Sequence, residues 1–469
     1  MTATVPAQRA ATSAARSSGR ARRHRRRILR ADLLLVACWA SAAFSVALYL
    51  AGGVHITDLG SLFDALGIAA GLLGTDLVLV MLILAARIPL IDRTIGHDRA
   101  MAAHRKLGKP AFYLLLAHGA LLTIGWAASS GTNVFAETAT LFGSPDMPLA
   151  YLSIGLFVAV IVTSLVAVRR RFAYEFWYVV HLLSYAAVLT ALPHQFSESS
   201  VLMPGMWQRV YWIGLYVVAL GSIVTFRVLE PAVQSLRHRV VVDRVERIAP
   251  DAVSIHLRGR GLDKLGAQGG QFFSWRFWTP RTFWHAHPVS LSASPTGRAA
   301  RITIRELGAG TRRLSEGLRP GTPVSFEGPY GIFTDSARGR ERVAIFAAGI
   351  GVTPVRALLE ELDAGPGMVS VIVRASDRDG LYHWDEVHDL CRERGWQAWT
   401  SVGPRARGRL GWLSAADAAR GVSMQSVFPR LAESEVYICG SDSWADVVEA
   451  EVGRFGVGSA HIHRERFDW

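Results

Sequence analysis

Four histidines stand inside apolar stretches of the first half of the chain: His104 and His118 in "AHRKLGKPAFYLLLAHG", His181 in "YVVHLLSY" and His194 in "LPHQF". A helix rises about 1.5 Å and turns about 100° per residue, so His104 and His118 fall about 21 Å apart and about 40° from one another, on one stripe. The stretch holding His181 and His194 runs in the same direction, and matching heights pairs His104 with His181 and His118 with His194. A single histidine here would read as an interfacial or core side chain. Ionisable groups in an apolar layer are expensive, and two height-matched pairs point instead to two sets of axial imidazoles on two stacked haems. With both axial positions filled, iron passes electrons rather than binding oxygen directly. The separation from His181 to His194 turns an ideal helix by about 220°, so these two share a face only if Pro193 distorts the helix. His55 and His97 have no partner at a suitable height and read as loop histidines. Asp76, in "GLLGTDLVLV", reads as a proton-exchanging group or a buried polar contact. Cys38, Cys391 and Cys439 are the only cysteines, too few for a four-thiolate iron–sulfur cluster and too scattered for a disulfide framework.

The elements that must carry these groups are six apolar stretches of near-spanning length, at roughly residues 33–53, 66–86, 107–128, 149–168, 176–192 and 210–228. The chain has 469 residues, half of them apolar, enough for two or three domains, and everything after Pro231 reads as soluble. A formal charge of +13 would suit nucleic acid, but the cations track the apolar segments. Nine arginines precede the first stretch, six Lys or Arg lie between Arg87 and Lys109, and three stand at Arg169–Arg171. The loops 53–64 and 129–148 have neither Lys nor Arg. The positive-inside rule then puts the N-terminus and the C-terminal half in the cytoplasm of a multi-pass plasma-membrane protein. A cleaved signal peptide is not expected, because the first apolar run is too long and lacks a small-residue cleavage site. The arginine-rich tail, residues 1–30, is expected to be a disordered anchor against anionic lipid, with RNA binding the weaker alternative.

Past the apolar half, "HRVVVDRVERI", "AVSIHLRG", "GQFFSWRFW" and "ARITIRE" alternate and are punctuated by Gly and Pro, as in a small antiparallel barrel. "RELGAGTRRL" sets Gly308, Gly310 and Thr311 at a helix start, where free N–H groups suit a pyrophosphate, assisted by Arg305 or Arg312. "ERVAIFAAGIGVTPVRALLEEL" reads as a buried strand, a glycine turn and a helix. Gly349 and Gly351 let a phosphate approach, with Thr353 as N-cap and Pro354 at the first helical position. The strands "MVSVIVRA" and "EVYICG" alternate with helices, giving a doubly wound α/β domain. An NAD-preferring fold commonly carries an acidic residue after the second strand; here "VIVRASD" has Arg374 and "RGRLGW" adds Arg409, both suited to a 2′-phosphate. NADPH is therefore expected over NADH.

The paired histidines, the basic "HRKLG" and the soluble half together resemble the ferric reductase and NADPH oxidase superfamily, over about residues 31–469. The resemblance implies a six-helix domain with two haem b groups (31–230), an FAD-binding barrel (236–336) and an NAD(P)H-binding α/β domain (340–469). It carries the flavin-lining H-P-F-[TS] segment onto His287, Pro288, Val289 and Ser290, with Val289 in place of the aromatic residue. It sets Cys439 and Gly440 beside the nicotinamide, with Ser441 where Pro is usual, and matches Glu465, Phe467 and Trp469 to the closing segment. Ser290, Cys439 and Trp469 would surround hydride transfer, the Trp469 indole covering the flavin ring and swinging aside for nicotinamide. The implied function is transfer of electrons from cytoplasmic NADPH through FAD and two haems to an extracytoplasmic ferric chelate or dioxygen. The alternative is a donor subunit serving an extracytoplasmic partner protein, for which the short, mildly acidic outer loops offer little docking surface. A flavin reductase on a haem-free anchor is disfavoured by the four histidines.

Overall fold

The computed structural model describes residues 4–466 apart from 170, 173, 206 and 281. Its first half is helical: α1 (Thr4–Ala51), α2 (Leu59–Ala85), α3 (Pro89–Ile95), α4 (His97–Ser130), α5 (Val134–Phe142), α6 (Met147–Ser164), α7 (Val166–Arg169), α8 (Tyr174–Ser197), α9 (Trp207–Val224) and α10 (Glu230–His238). Among the described residues, six helical stretches are long and apolar enough to cross a membrane: Arg22–Ala51, Leu59–Ala85, His97–Ser130, Met147–Ser164, Phe176–Ser197 and Trp207–His238. The described residues divide into two compact units, one of Asp32–Ile88 and Arg99–Phe226, the other of Met1–Ala31, Pro89–Asp98 and Arg227–Trp469.

The first unit is the helical one. Leu79, Leu82, Val188, Trp212, Tyr216 and Ala219 pack as its core, while Val179, Val210 and Val217 stay more than half exposed. An outer surface this apolar is what a bilayer solvates. Helices α2 and α4 meet through Gly60, Gly67, Gly71 and Gly74, whose spacing places them on one face. A Cβ on Gly67 would lie 2.9 Å from Leu122, and one on Gly71 would lie 2.4 Å from His118 Nδ1. Only glycine lets the backbones come this close, the small-residue packing that membrane helices use.

In the second unit the basic tail departs from expectation. The tail expected to be disordered over 1–30 is helical from Thr4, continuous with α1. Ala and Arg are strong helix formers, and Pro6 falls in the first turn, where its missing N–H is not needed. Arg20 also donates to the Asp363 carboxylate at 2.9 Å, and the His24 ring stacks on His461 with centroids 5.0 Å apart. The basic helix is thus held by contacts that arise far along the chain.

The barrel is closed in the order β1–β2–β5–β4–β3–β6, from β1 (Val240–Ala249), β2 (Ala252–Arg258), β3 (Phe272–Phe277), β4 (His287–Ala293), β5 (Ala299–Arg305) and β6 (Pro323–Tyr330). Val242, Ile255, Phe273, Phe277, Leu291 and Phe326 fill it, and α11 (Ala309–Gly317) follows β5. The doubly wound domain has β7 (Arg342–Ala348), α12 (Val352–Glu361), β8 (Val369–Ala375), α13 (Trp384–Glu393), β9 (Gln397–Val402), β10 (Ser434–Cys439) and β11 (Ile462–Glu465). Its five strands lie in the order β11–β10–β7–β8–β9, all parallel. Along β7, Val343, Ile345 and Ala347 join one apolar cluster while Ala344 and Phe346 join another. Alternation sends successive side chains to opposite faces, so both faces are buried, as a parallel sheet requires.

The turn after β7 departs from expectation at its cap. Gly349–Gly351 form a 3-10 turn that runs straight into α12, so Thr353 and Pro354 lie inside the first helical turn. Thr353 donates its hydroxyl to Ile350 O at 2.9 Å instead of capping. Pro354 is tolerated because first-turn N–H groups have no helical acceptor. A Cβ on Gly351 would lie 2.3 Å from Cys439 O, so the turn crosses the end of β10 only as glycine.

Candidate functional sites

In the helical unit, α4 presents His104 and His118, and α2 supplies their anchors. His104 Nδ1 donates to Met81 O at 3.1 Å and His118 Nδ1 to Gly67 O at 2.9 Å. The acceptor is a carbonyl in each case, so Nδ1 carries the proton and Nε2 keeps its lone pair for a metal. The two anchors on α2 have the same separation in sequence as the two histidines on α4, so the arrangement repeats one level further along the pair.

The partners come from α8. The His104 and His181 rings lie 6.2 Å apart, centroid to centroid, at 63°. Metal–imidazole bonds of about 2 Å on both sides of one ion separate the ring centres by roughly 6 Å. His194 lies within electrostatic reach of His118. Nδ1 of His181 and of His194 is buried with no hydrogen-bond partner, and Trp177 stacks on His181 at 5.0 Å. Pro193 stands inside α8, immediately before His194. The residues present therefore fit two bis-imidazole haem sites. Among the described residues no group of three or more His, Cys, Asp or Glu side chains could hold a bare metal ion.

In the other unit, strand register assembles a second site. Phe272 pairs with Ser290 on one side and with Tyr330 on the other, while Trp275 pairs with His287 and Phe273 with Val289. Val289 packs against the barrel core instead of offering a ring. From the nucleotide domain, Ala347, Cys439 and Glu465 lie side by side at the carboxyl ends of β7, β10 and β11. Ligands bind at such strand ends in open α/β sheets. The two edges meet at Gly331, where a Cβ would lie 3.5 Å from Glu465 Oε2 and 3.4 Å from Phe272. Burial, and then the charge of Asp98, pushes the Glu465 carboxyl well above the usual carboxylate range. Burial likewise raises the Cys439 thiol.

The two glycine turns expected to hold phosphates are open. A Cβ on Gly308, Gly310 or Gly349 would meet nothing within 4 Å, so packing does not demand these glycines, although Gly349 also has φ +52°. Gly308 caps α11, and Thr311 Oγ1 accepts from the N–H groups of Leu307 and Gly308. This free space beside two helix starts fits a dinucleotide's phosphates. Arg305 is engaged elsewhere: its Nε donates to Asp251 at 2.7 Å, and Asp251 also accepts from Tyr382 of the nucleotide domain. Arg374 is buried at the end of β8, donating to Gly403 O at 2.7 Å, with Nε unpartnered. Arg409 forms a two-pronged pair with Glu451 at 2.9 and 3.1 Å. Gly440 packs on Trp444 and Ala348. Phe467 and Trp469 lie outside the described residues.

Residues 70–192 match the family model described as "Ferric reductase like transmembrane component", a window holding His104, His118 and His181, with His194 just beyond it. Among curated proteins, the ferredoxin reductase component of 3-ketosteroid-9-alpha-monooxygenase from Rhodococcus rhodochrous is 26% identical over 44% of this chain and 57% of its own length. Ferredoxin–NADP reductase B of Sorangium cellulosum is 30% identical over 38% of this chain and 77% of its own. A probable metalloreductase of Yarrowia lipolytica is 24% identical over 67% of this chain and 55% of its own. That last alignment, 321 residues, is longer than everything after β1 begins and so joins the helical and the sheet-rich parts. The chain belongs to the ferric reductase and NADPH oxidase superfamily. It spans little more than half the length of the first and third of these relatives.

Two side-chain pairs have partners that local sequence does not mark. His97, read as a loop histidine, is the first residue of α4 and only 3% exposed, stacked on Tyr330 at 5.4 Å. Its partner Asp92 is equally buried. The barrel and nucleotide domains are themselves clamped by a bidentate pair, Arg301 to Glu386 at 2.8 and 2.9 Å.

His287 yields a test of the barrel site. Its Nε2 is buried without a partner, and burial, reinforced by His285 and Arg276, pulls the imidazole from 6.5 to about 4. The unfolded chain then binds the extra proton first, so stability should fall as pH drops from about 6.5 through about 4. His287→Gln should flatten that fall, read as the thermal midpoint against pH. An unchanged slope would show that His287 is not desolvated in the folded barrel.

Proposed function

We propose that this chain is a membrane NADPH-dependent oxidoreductase that takes electrons from cytoplasmic NADPH through FAD and two haem b groups to an extracytoplasmic acceptor, a ferric chelate or dioxygen. The observation that carries this reading is the repeated unit on α2 and α4: two imidazoles, each tied through Nδ1 to a backbone carbonyl, each with a second histidine from α8 within reach. FAD supplies the conversion of a hydride into two single electrons, and the haems supply one-electron carriage. With the cell interior negative, outward movement of each electron is favoured by up to about 2.3 kcal/mol per 100 mV crossed.

In this reading the chain's own residues divide the work. His104 and His181 would hold the inner iron and His118 and His194 the outer. The amides at Gly308, Gly310 and Thr311 would hold the flavin pyrophosphate, and those of the turn from Gly349 through Thr353 the coenzyme's, with Pro354, which has no N–H, fixing the start of the helix behind them. Ser290, Cys439 and Glu465 would line the place where hydride moves, and Trp469 would shield it between turnovers. Arg374 has one buried N–H still to satisfy, which suits a 2′-phosphate, whereas Arg409 would have to exchange Glu451 for it.

Two measurements test the scheme. His104→Ala or His181→Ala should abolish electron delivery from flavin to any haem, while His118→Ala or His194→Ala should leave one haem reducible by NADPH in stopped-flow spectra. Identical effects from both pairs would contradict the stacked assignment. Arg374→Ala should cut the preference for NADPH over NADH by roughly tenfold or more, the loss of about one charge-assisted contact of 1.5–3 kcal/mol. An unchanged ratio of kcat/KM values would remove Arg374 from coenzyme selection.

A further inference from the structure

The short segment Pro89–Asp98 brings an acid–base pair to the barrel edge. Asp92, on α3, and His97, opening α4, are each 3% exposed, and His97 Nδ1 lies 3.4 Å from Asp92 Oδ1. Asp92 Oδ2 is buried without a hydrogen-bond partner. Gly96, at φ +88°, makes the tight turn that folds His97 back toward α3. The His97 ring lies against Tyr330, centroids 5.4 Å apart and planes 26° apart, and meets Phe272 edge-on at 6.2 Å. Phe272 pairs in register with both Ser290 and Tyr330, and Gly331, which follows Tyr330, adjoins Phe272 and Glu465. Tyr330 faces the His97 ring, and Asp98, next to His97 in the chain, acts electrostatically on Glu465.

A carboxylate on Nδ1 fixes the imidazole with Nε2 as its basic nitrogen and stabilises the imidazolium once a proton arrives. The chemistry at this edge creates a need for such a base. Hydride carries two electrons and one proton from the nicotinamide. When the two electrons leave singly to one-electron acceptors, the hydrogen nucleus stays behind: NADPH plus two oxidised acceptors gives NADP+, two reduced acceptors and one H+. We propose that His97 accepts this proton at Nε2 and that Asp92 is its positioning residue. The inference rests on the flavin reading above, but not on the haems.

The test uses the full-length, detergent-purified protein reconstituted with FAD and reduced with one equivalent of NADPH. It is then reoxidised by ferricyanide, which takes electrons from flavin without haem. Reoxidation rates per bound flavin are measured against pH in H2O and D2O, and the flavin midpoint potential is titrated across the same pH range. In the wild type the rate should rise with pH through a single ionisation and slow about twofold in D2O. His97→Gln should lose that ionisation and the isotope effect and react about 10²-fold more slowly. It should also shift the break in the potential-against-pH plot. Imidazole in the buffer should restore rate to His97→Ala, and Asp92→Asn should move the ionisation without removing it. A His97→Gln protein with the wild-type pH profile, isotope effect and potential plot would overturn the proposal. Failure of the wild type to pass electrons from flavin to haem would leave the ferricyanide result intact and would contradict only the haem scheme.

Discussion

The close approach of α2 to α4 is the constraint on which the membrane half depends. An imidazole in an apolar layer must be satisfied, and the nearest acceptors in a helical bundle are backbone carbonyls already used by their own helix. A carbonyl has a second lone pair, but a side chain reaches it only if nothing stands between. The glycines at 67 and 71 clear that space: His118 Nδ1 lies 2.9 Å from Gly67 O, where a Cβ on Gly71 would sit 2.4 Å from the same nitrogen. The anchor fixes both tautomer and ring orientation, the two properties an axial ligand needs before any metal arrives.

The sheet-rich unit solves a comparable problem with glycine. Gly351 lets the turn after β7 pass over the end of β10, and Gly331 brings the barrel edge to Glu465. Cys439 and Glu465, side by side, thereby come to the barrel edge where Phe272 pairs with Ser290. The clamp between the barrel and the nucleotide domain, Arg301 with Glu386 and Arg305 with Asp251 and Tyr382, holds that meeting point by charge and hydrogen bonds on neighbouring elements.

What the sequence revealed, and what it hid, follows from the range of each signal. Histidine spacing on α4 is a helical-period signal, legible without any neighbour. The strand and glycine-turn pattern of the soluble half is similarly local. Met81 O and Gly67 O carry no mark in sequence because every residue has a carbonyl; the glycine repeat on α2 was the available hint. His97 reads as a loop histidine because it has no histidine at a matching height; its partners are Asp92 nearby and Tyr330 over two hundred residues away. Arg305 was legible as a cation beside a phosphate turn, but its rival Asp251 was not. The basic tail looked disordered by charge alone, and its docking partners Asp363 and His461 lie near the other end of the chain.

The central claim is that the four intramembrane histidines hold two haems that NADPH can reduce. The most direct measurement is the anaerobic NADPH-reduced minus oxidised absorption spectrum of the purified protein, with haem and chain quantified in the same sample. The expected result is a low-spin b-type difference spectrum with two haems per chain. A spectrum with no haem band, or with haem that NADPH cannot reduce while the flavin bleaches normally, would contradict it.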